Sequence, residues 1–259
     1  VKIGIAGAGG RMGRLLVQEV LAADGLTLAA ATAREGSELF GKTVAPGVLA
    51  TDDSAELFHL SDVVIDFTLP TTTVTHAKLA AETGTALLVG TTGLRAAERE
   101  ALAHAAQSAP VLVAANTSLG VVLMQSLVRQ AAASLGEDWD IEIVEMHHRH
   151  KIDAPSGTAW ALGQAAAEGR KVDLDQVSDR GRDGHTGARQ KGAIGFASLR
   201  GGDVVGEHTV IYAGASERIE LTHKANDRRV FAVGAVRAAR WLAGKPAGSY
   251  RMADVLGLG

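Results

Sequence analysis

An α/β fold, with a parallel sheet in the first half and a smaller α+β region behind it, is predicted from three observations. Short apolar runs alternate with helix-period segments as far as residue 114, and that alternation builds βαβ units with right-handed crossovers. A glycine-spaced turn joins the first run to the first helical segment. Beyond residue 193, strand-like runs follow one another with turn residues between them, the pattern of an antiparallel meander.

Taken in order, Lys2–Ala6 is read as a buried parallel strand. Gly7, Gly10 and Gly13 follow at three-residue spacing, and Leu15, Leu16, Val20 and Leu21 then recur with a helical period. Bare backbone can approach a pyrophosphate, and a helix N-terminus faces that charge. The usual G-x-G-x-x-G spacing is not met: counted from Gly7, Met12 stands at the last glycine, leaving a G-x-x-G-x-x-G variant. Its place between the first strand and the first helix points to a dinucleotide and a Rossmann-like sheet. The alternative is a tight strand-to-helix turn with no ligand. The second strand, Leu26–Ala33, ends without the acid that binds a ribose 2′-OH in NAD-preferring sites. Arg34 follows and can pair with a 2′-phosphate, so NADPH is expected; Glu35 keeps NADH possible. Strands Val63–Phe67, Ala86–Val89 and Val111–Ala114 continue the sheet, with helices at Thr75–Thr83 and Ala96–Ser108. Asp66-Phe67-Thr68 and Gly90-Thr91-Thr92-Gly93 fall beyond strand carboxyl ends, where such sheets bind ligands, and can line a nicotinamide pocket.

After Asn116-Thr117-Ser118 the pattern changes to a helix, Val121–Ser134, and a strand, Trp139–Met146. His147, His148, Arg149, His150 and Lys151 then stand in five consecutive positions, and Ser156-Gly157-Thr158 opens a helix running to Ala167. Free N–H groups and the helix dipole make that turn an anion site. With the cations and titratable imidazoles beside it, the segment expects a small, multiply anionic ligand and proton transfer. The three histidines could instead be metal ligands. Interleaved Arg149 and Lys151 oppose that reading, as do the absence of cysteine and of an H-E-x-x-H spacing, and no metal is expected. Residues 169–192 read as a long polar loop, mobile until something binds. Strands Ala193–Arg200, Val204–Ala213 and Arg218–His223 form the expected meander, and a last helix, about Asp227–Leu242, is ended by Gly244 and Pro246. Glu207 and His208 on the middle strand read as residues paired within a sheet or an interface.

Composition narrows the function classes. At 259 residues the chain can hold two modest domains, and a net charge of −3 gives no electrostatic case for nucleic acid. Zero cysteines remove disulfides and thiol redox chemistry. No apolar run approaches a membrane span and no signal-peptide pattern opens the chain, so a cytoplasmic location is expected.

Seven stretches together carry a family resemblance: G-A-G-G-R-M-G at 7–13, D-F-T at 66–68, V-G-T-T-G at 89–93, N-T-S-L-G-V at 116–121, E-M-H-H-R-H-K-I-D-A-P-S-G-T-A at 145–159, I-G-F-A-S-L-R-G-G-D-V-V-G-E-H-T at 194–209 and T-H-K-A at 222–225. Over nearly its whole length the chain resembles the 4-hydroxy-tetrahydrodipicolinate reductases, also called dihydrodipicolinate reductases, of bacterial lysine and diaminopimelate synthesis. The resemblance implies NAD(P)H-dependent reduction of a cyclic imine carrying two carboxylates, by a homotetramer. It implies a nucleotide domain of residues 1–118 plus 228–259, with residues 119–227 inserted as the substrate-binding and tetramerisation domain. By resemblance His147 is the acid and Lys151 its partner, while His148, Lys151, Ser156, Gly157 and Thr158 cradle the dicarboxylate. The implied cofactor contacts are Gly7, Ala8, Gly9, Gly10, Arg11, Met12, Gly13, Arg34, Phe67, Thr68, Gly90, Thr91, Thr92, Ala115, Asn116 and Thr117. Four positions depart from the family pattern. Ala33 replaces an acid, Thr117 a larger side chain, Leu69 an arginine found in some relatives, and Trp160 a smaller aliphatic residue, where core filling is the plain reading. Two rival classes are another NAD(P)-dependent oxidoreductase of the same broad fold and a non-catalytic dinucleotide sensor. The first does not need the histidine-lysine motif; the second would tolerate its loss.

Overall fold

The computed structural model describes residues 1–258, and the last residue of the expected 228–259 segment lies outside them. The chain divides into two compact units, Val1–Leu119 with Arg229–Gly259, and Gly120–Arg228. The first stretch carries strands β1 (Lys2–Ala6), β2 (Thr27–Thr32), β3 (Thr43–Ala45), β4 (Val48–Thr51), β5 (Val63–Asp66), β6 (Ala86–Val89) and β7 (Pro110–Val113), with helices α1 (Arg11–Ala22), α2 (Ser54–Leu60), α3 (Pro70–Thr83) and α4 (Ala96–Ala105). Helix α5 (Leu119–Leu135) leads into β8 (Asp140–His147), α6 (Gly157–Arg170), α7 (Leu174–Val177), β9 (Ser178–Asp179), β10 (Ile194–Arg200), β11 (Gly206–Ala213) and β12 (Arg218–Ala225). The chain then adds α8 (Arg229–Leu242), β13 (Gly248–Tyr250) and α9 (Met252–Val255) to the first unit.

The first unit is an eight-stranded sheet in the order β13-β7-β6-β5-β1-β2-β4-β3. Every pairing is parallel except β3 with β4. All four residues of β5 and of β6 are buried, as suits strands covered on both faces. Helix α8 packs with small residues: Ala232, Ala235, Ala238 and Ala239 are fully buried. A side chain at Gly234 would run into the Thr117 carbonyl, and Thr117 Oγ1 donates to the Phe231 carbonyl at 2.7 Å. These contacts hold α8 against the loop that follows β7.

The second unit is a five-stranded mixed sheet, β12-β11-β8-β10-β9. This corrects the meander. β11 and β12 are antiparallel neighbours, but β10 and β11 do not pair; β8 lies between them, parallel to β10 and antiparallel to β11. Strand β8 holds the centre because Ile141 and Ile143 are fully buried. The Gly201-Gly202 turn crosses its end instead of closing a hairpin: Gly201 N–H donates to the His147 carbonyl at 3.0 Å and Arg149 N–H to the Gly202 carbonyl at 3.2 Å. One face of the sheet is covered by α5 and α6 through Met124, Val128, Leu162 and Ala166. Tyr212 ties that layer to α5 by donating to the Val128 carbonyl at 2.7 Å.

The polar stretch 169–192 is also not the structureless loop expected. It holds α7 and β9, and Arg189 pins it by hydrogen bonds to Asp140 (2.7 Å), Glu142 (2.8 Å) and the Ile141 carbonyl (3.0 Å). Arg180 lies 4.3 Å over the Trp160 ring, which stacks on Phe196 at 5.6 Å. Trp160 therefore fills the core edge and takes a cation–π contact. Among the described residues no helix is long and apolar enough to cross a membrane.

Candidate active site

In the first unit, the glycine turn leaves β1 through Gly7, whose φ of 76° favours glycine. Gly7 N–H points at Thr32 Oγ1 (3.3 Å), Ala8 N–H at the Thr32 carbonyl (2.7 Å), and Gly10 N–H closes the turn on the Gly7 carbonyl (3.0 Å). A side chain at Gly13 would collide with the Gly7 carbonyl and the Ala8 backbone. Glycine there lets α1 begin against the turn. Gly10 caps α1 without a side-chain bond, so the N–H groups of Arg11 and Met12 open on the N-terminal end of the helix dipole. This backbone cradle fits a pyrophosphate. Gly9 faces the loop after β2: a Cβ on it would lie 3.6 Å from Ser37 Oγ and 4.0 Å from Ala33 Cβ. Arg34, in that same loop, is exposed.

Phe67, Thr68, Gly90, Thr91 and Thr92 follow the adjacent strands β5 and β6. Gly90 is bare because a side chain would strike the Phe67 ring. Thr91 is buried and Thr92 exposed. Beyond β7, Ala115 is exposed, and Asn116 Oδ1 accepts from Ser118 N–H at 2.9 Å. Thr117 is 1% exposed, with its hydroxyl turned to α8 rather than to the sheet end.

In the second unit, His147 ends β8. Its Nδ1 lies 2.6 Å from Glu145 Oε2. Glu145 is 1% exposed; burial opposes its charge, but hydrogen bonds from Arg200, His147 and Ser198 hold its pKa at about 2. An ionised carboxylate only accepts, so His147 carries hydrogen on Nδ1 and presents Nε2 for exchange. Gly206 keeps room at that atom: a Cβ there would sit 3.0 Å from His147 Nε2. Arg200 grips both Glu145 oxygens at 2.8 Å and the Asp153 carbonyl at 2.7 Å. Lys151 Nζ donates to both Asp153 oxygens at 2.7 and 2.8 Å.

Ser156 caps α6, accepting from Ala159 N–H at 3.1 Å. Its own N–H reaches Glu145 Oε1 at 3.2 Å, and its hydroxyl meets His208 Nε2 at 3.0 Å. His208 is 4% exposed; burial, then the charge of His147, push its pKa down to about 4. It is therefore neutral at pH 7. His147 and His208 meet edge to face at 5.1 Å. Desolvation and the cations around His148 (Arg228, His150, His147 and Lys151) lower its pKa as well. Gly157 is exposed, with nothing within 4 Å of an added Cβ. The start of α6 is thus tied to His147 through Glu145 and to His208 through Ser156, with the cationic segment from His147 to Lys151 close by in sequence. No group of three His, Cys, Asp or Glu arranged to hold a metal occurs among the described residues.

The sequence reading gave no role to Glu145, Arg200 or Asp153, and read His208 only as a paired residue, which its contact with Ser156 makes it. Glu145 and His147 are two apart on a strand, so they share a face; that spacing was legible. Arg200, His208 and Asp153 join through tertiary pairing, and Glu207, beside His208, pairs with Lys224 at 3.5 Å.

A parallel-sheet unit with a bare pyrophosphate cradle, and a second unit with a histidine poised at a helix start, define a dinucleotide-dependent oxidoreductase. The family model described as "Dihydrodipicolinate reductase, N-terminus" matches residues 1–117, and "Dihydrodipicolinate reductase, C-terminus" matches 120–256. The chain belongs to the dihydrodipicolinate reductase family. A 4-hydroxy-tetrahydrodipicolinate reductase of Ruegeria sp. (strain TM1040) is 53% identical over 261 residues, covering 98% of this chain and 97% of the relative. One from Parvibaculum lavamentivorans is 52% identical over 266 residues, covering 100% and 98%. The dipicolinate-bound dihydrodipicolinate reductase of Paenisporosarcina sp. TG-14 shares the fold, with a TM-score of 0.81, 24% identity and 97% of each chain covered.

Proposed function

We propose that the chain reduces 4-hydroxy-tetrahydrodipicolinate, by way of dihydrodipicolinate, to tetrahydrodipicolinate in lysine and diaminopimelate biosynthesis, with His147 as the proton donor. The observation that carries the site assignment is the Glu145–His147 contact beside the start of α6. Bound reduced dinucleotide supplies the hydride. The Gly7–Gly13 turn would hold its pyrophosphate, with the N–H groups of Arg11 and Met12 toward it, and Phe67, Thr68, Gly90, Thr91, Thr92, Ala115 and Asn116 would line the nicotinamide, while Thr117 supports that loop from behind through α8. Arg34 pairs with a 2′-phosphate, which supports NADPH over NADH.

Two carboxylates call for two sources of positive potential. The N–H groups of Gly157 and Thr158, with the Thr158 hydroxyl, receive one. Lys151 and His148 receive the other, the substrate replacing Asp153 as partner of the Lys151 ammonium. Glu145 fixes the His147 ring through Nδ1, and a proton carried on Nε2 passes to the reduced ring. Arg200 shares the same carboxylate and keeps Glu145 from accepting that proton.

A homotetramer built through the second unit's sheet accords with its open face. Val144, Met146, Ala197, Leu199, Thr209 and Ile211 lie on the side away from α5 and α6, and none of them is buried.

Competition tests the site. Pyridine-2,6-dicarboxylate presents paired carboxylates on a flat ring and is expected to inhibit competitively against substrate. Thr158→Val should weaken it by about 1.5–3 kcal/mol, the worth of one hydrogen bond to an anion. Calorimetry showing no binding with dinucleotide present would remove the dicarboxylate assignment.

A further inference from the structure

We propose that Asp66 and His76 are positioning residues for the dinucleotide site, locking the loops after β5 and β6 into the shape that receives the nicotinamide. The proposal rests on the reading that these loops bind it. Asp66 is 0% exposed and His76 1% exposed. The Asp66 carboxylate takes five donors. Oδ1 accepts from Thr68 N–H (2.9 Å), Thr68 Oγ1 (2.5 Å) and Thr91 Oγ1 (3.2 Å). Oδ2 accepts from Thr73 Oγ1 (2.8 Å) and His76 Nδ1 (2.9 Å).

The geometry divides the carboxylate between two tasks. One oxygen faces the helix α3 residues Thr73 and His76. The other faces the loops, where Thr68 N–H also reaches Thr91 Oγ1 at 3.0 Å. His76 continues the chain on its far side: Nε2 meets Ser54 Oγ, the first residue of α2, at 3.2 Å. Two helices thereby anchor one carboxylate, and that carboxylate sets two loops. The setting reaches the glycine turn as well, because a Cβ on Gly7 would lie 3.0 Å from Thr68 Cγ2. A displaced Thr68 would press on the pyrophosphate cradle.

Stability alone is a weak reason for such a cluster, since a buried ion pair often does no better than apolar residues of similar volume. This one also sits at the carboxyl end of β5, where open parallel sheets bind their ligands. Burial opposes the charge of Asp66, but His76, Thr68 and Thr73 together hold its pKa below the ordinary carboxylate value. The carboxylate therefore stays a pure acceptor and the loops do not slip between alternative bonding patterns.

The test compares His76→Leu, His76→Asn, Asp66→Asn and Thr92→Glu, each checked for folding by circular dichroism. Dissociation constants for NADPH are read by calorimetry, and melting temperatures are measured without ligand. The asparagine amide can stand where Nδ1 stands and still donate to Asp66; leucine cannot. His76→Leu and Asp66→Asn should weaken NADPH by about tenfold or more, the scale of one charge-assisted hydrogen bond. His76→Asn should stay within about threefold of wild type, a difference under about 0.7 kcal/mol. If both His76 variants melt earlier but bind NADPH like wild type, the pair is structural only and the proposal falls. If Asp66→Asn does not fold, the two His76 variants decide alone. Thr92→Glu tests the underlying reading by placing a negative charge on the exposed loop residue. Unchanged NADPH affinity there would remove the nicotinamide from these loops, and the positioning role with it. Weakened affinity there beside unchanged affinity in the His76 and Asp66 variants would overturn the positioning role alone.

Discussion

Glu145 stands ionised and 1% exposed between His147 and Arg200, hydrogen-bonded to both. Two acid-sensitive steps follow from this cluster. His208 is held neutral with a pKa of about 4, below its ordinary 6.5. The unfolded chain binds that proton first, so stability is lost as pH falls from about 6.5 to about 4. Glu145 is held at about 2 against an ordinary 4.5. Its contribution is complete above 4.5 and is lost as pH falls toward 2. Each gap is worth up to about 3 kcal/mol. Melting temperature measured against pH should therefore drop in two stages, and His208→Gln should flatten the upper one. An unchanged upper stage in that variant would move the titration to another histidine. At the same scale, Lys151→Ala should lower turnover and weaken substrate binding while leaving dinucleotide affinity near wild type. Calorimetry with NADPH and steady-state kinetics separate the two effects. A variant that loses NADPH affinity would place Lys151 in the wrong half of the chemistry.

At the scale of elements, the two glycine turns differ in what they demand. Gly13 is crowded by the Gly7 carbonyl and Ala8, whereas Gly157 is open. Gly13→Ala should destabilise the fold by about 1–3 kcal/mol, the usual cost of forcing volume into packed backbone, and weaken NADPH binding. Gly157→Ala should leave the melting temperature near wild type and weaken only pyridine-2,6-dicarboxylate. Thermal melts and calorimetry on both variants check the contrast; a destabilised Gly157→Ala would show that the α6 start is packed rather than open. The difference between the turns was not legible in the sequence, where both are simply glycines at helix starts. The short apolar runs were legible: β1, β2, β5, β6 and β7 fall where the sequence pattern puts them, within a residue or two. β3, β4 and β13 were missed because none is a continuously buried apolar run like β5 and β6; each keeps exposed or partly exposed residues over its three or four positions. α3 begins at Pro70, five residues before the helix expected from Thr75, because proline suits the first turn it occupies. The meander failed for a different reason. Turn residues at Gly201-Gly202 announce a change of direction, but not that β8 already occupies the place beside β10.

Over the whole molecule, the cationic motif was legible because five charged or titratable residues adjoin in sequence, and the glycine cradle because its spacing is local. The partners Arg200, His208 and His76 were not, since sheet register and helix packing bring them in from far along the chain. The open sheet face of the second unit leads to a further expectation. Ile211→Asp would place a charge amid Val144, Leu199 and Thr209, and sedimentation should then show species smaller than those of the wild type, for which a tetramer is proposed. A wild type that sediments as a monomer would contradict assembly through this face.

The most direct measurement of the central claim is a coupled assay. Substrate is made freshly from pyruvate and aspartate semialdehyde, and loss of NADPH is followed with the wild type and with His147→Gln. The wild type should consume NADPH only when the substrate is present, and more efficiently than NADH. His147→Gln should lose about 10²–10⁴-fold in turnover, the usual contribution of a general acid, while still binding NADPH. No substrate-dependent loss of either dinucleotide would contradict the assigned reaction. A His147→Gln enzyme as fast as the wild type would contradict the proton donor.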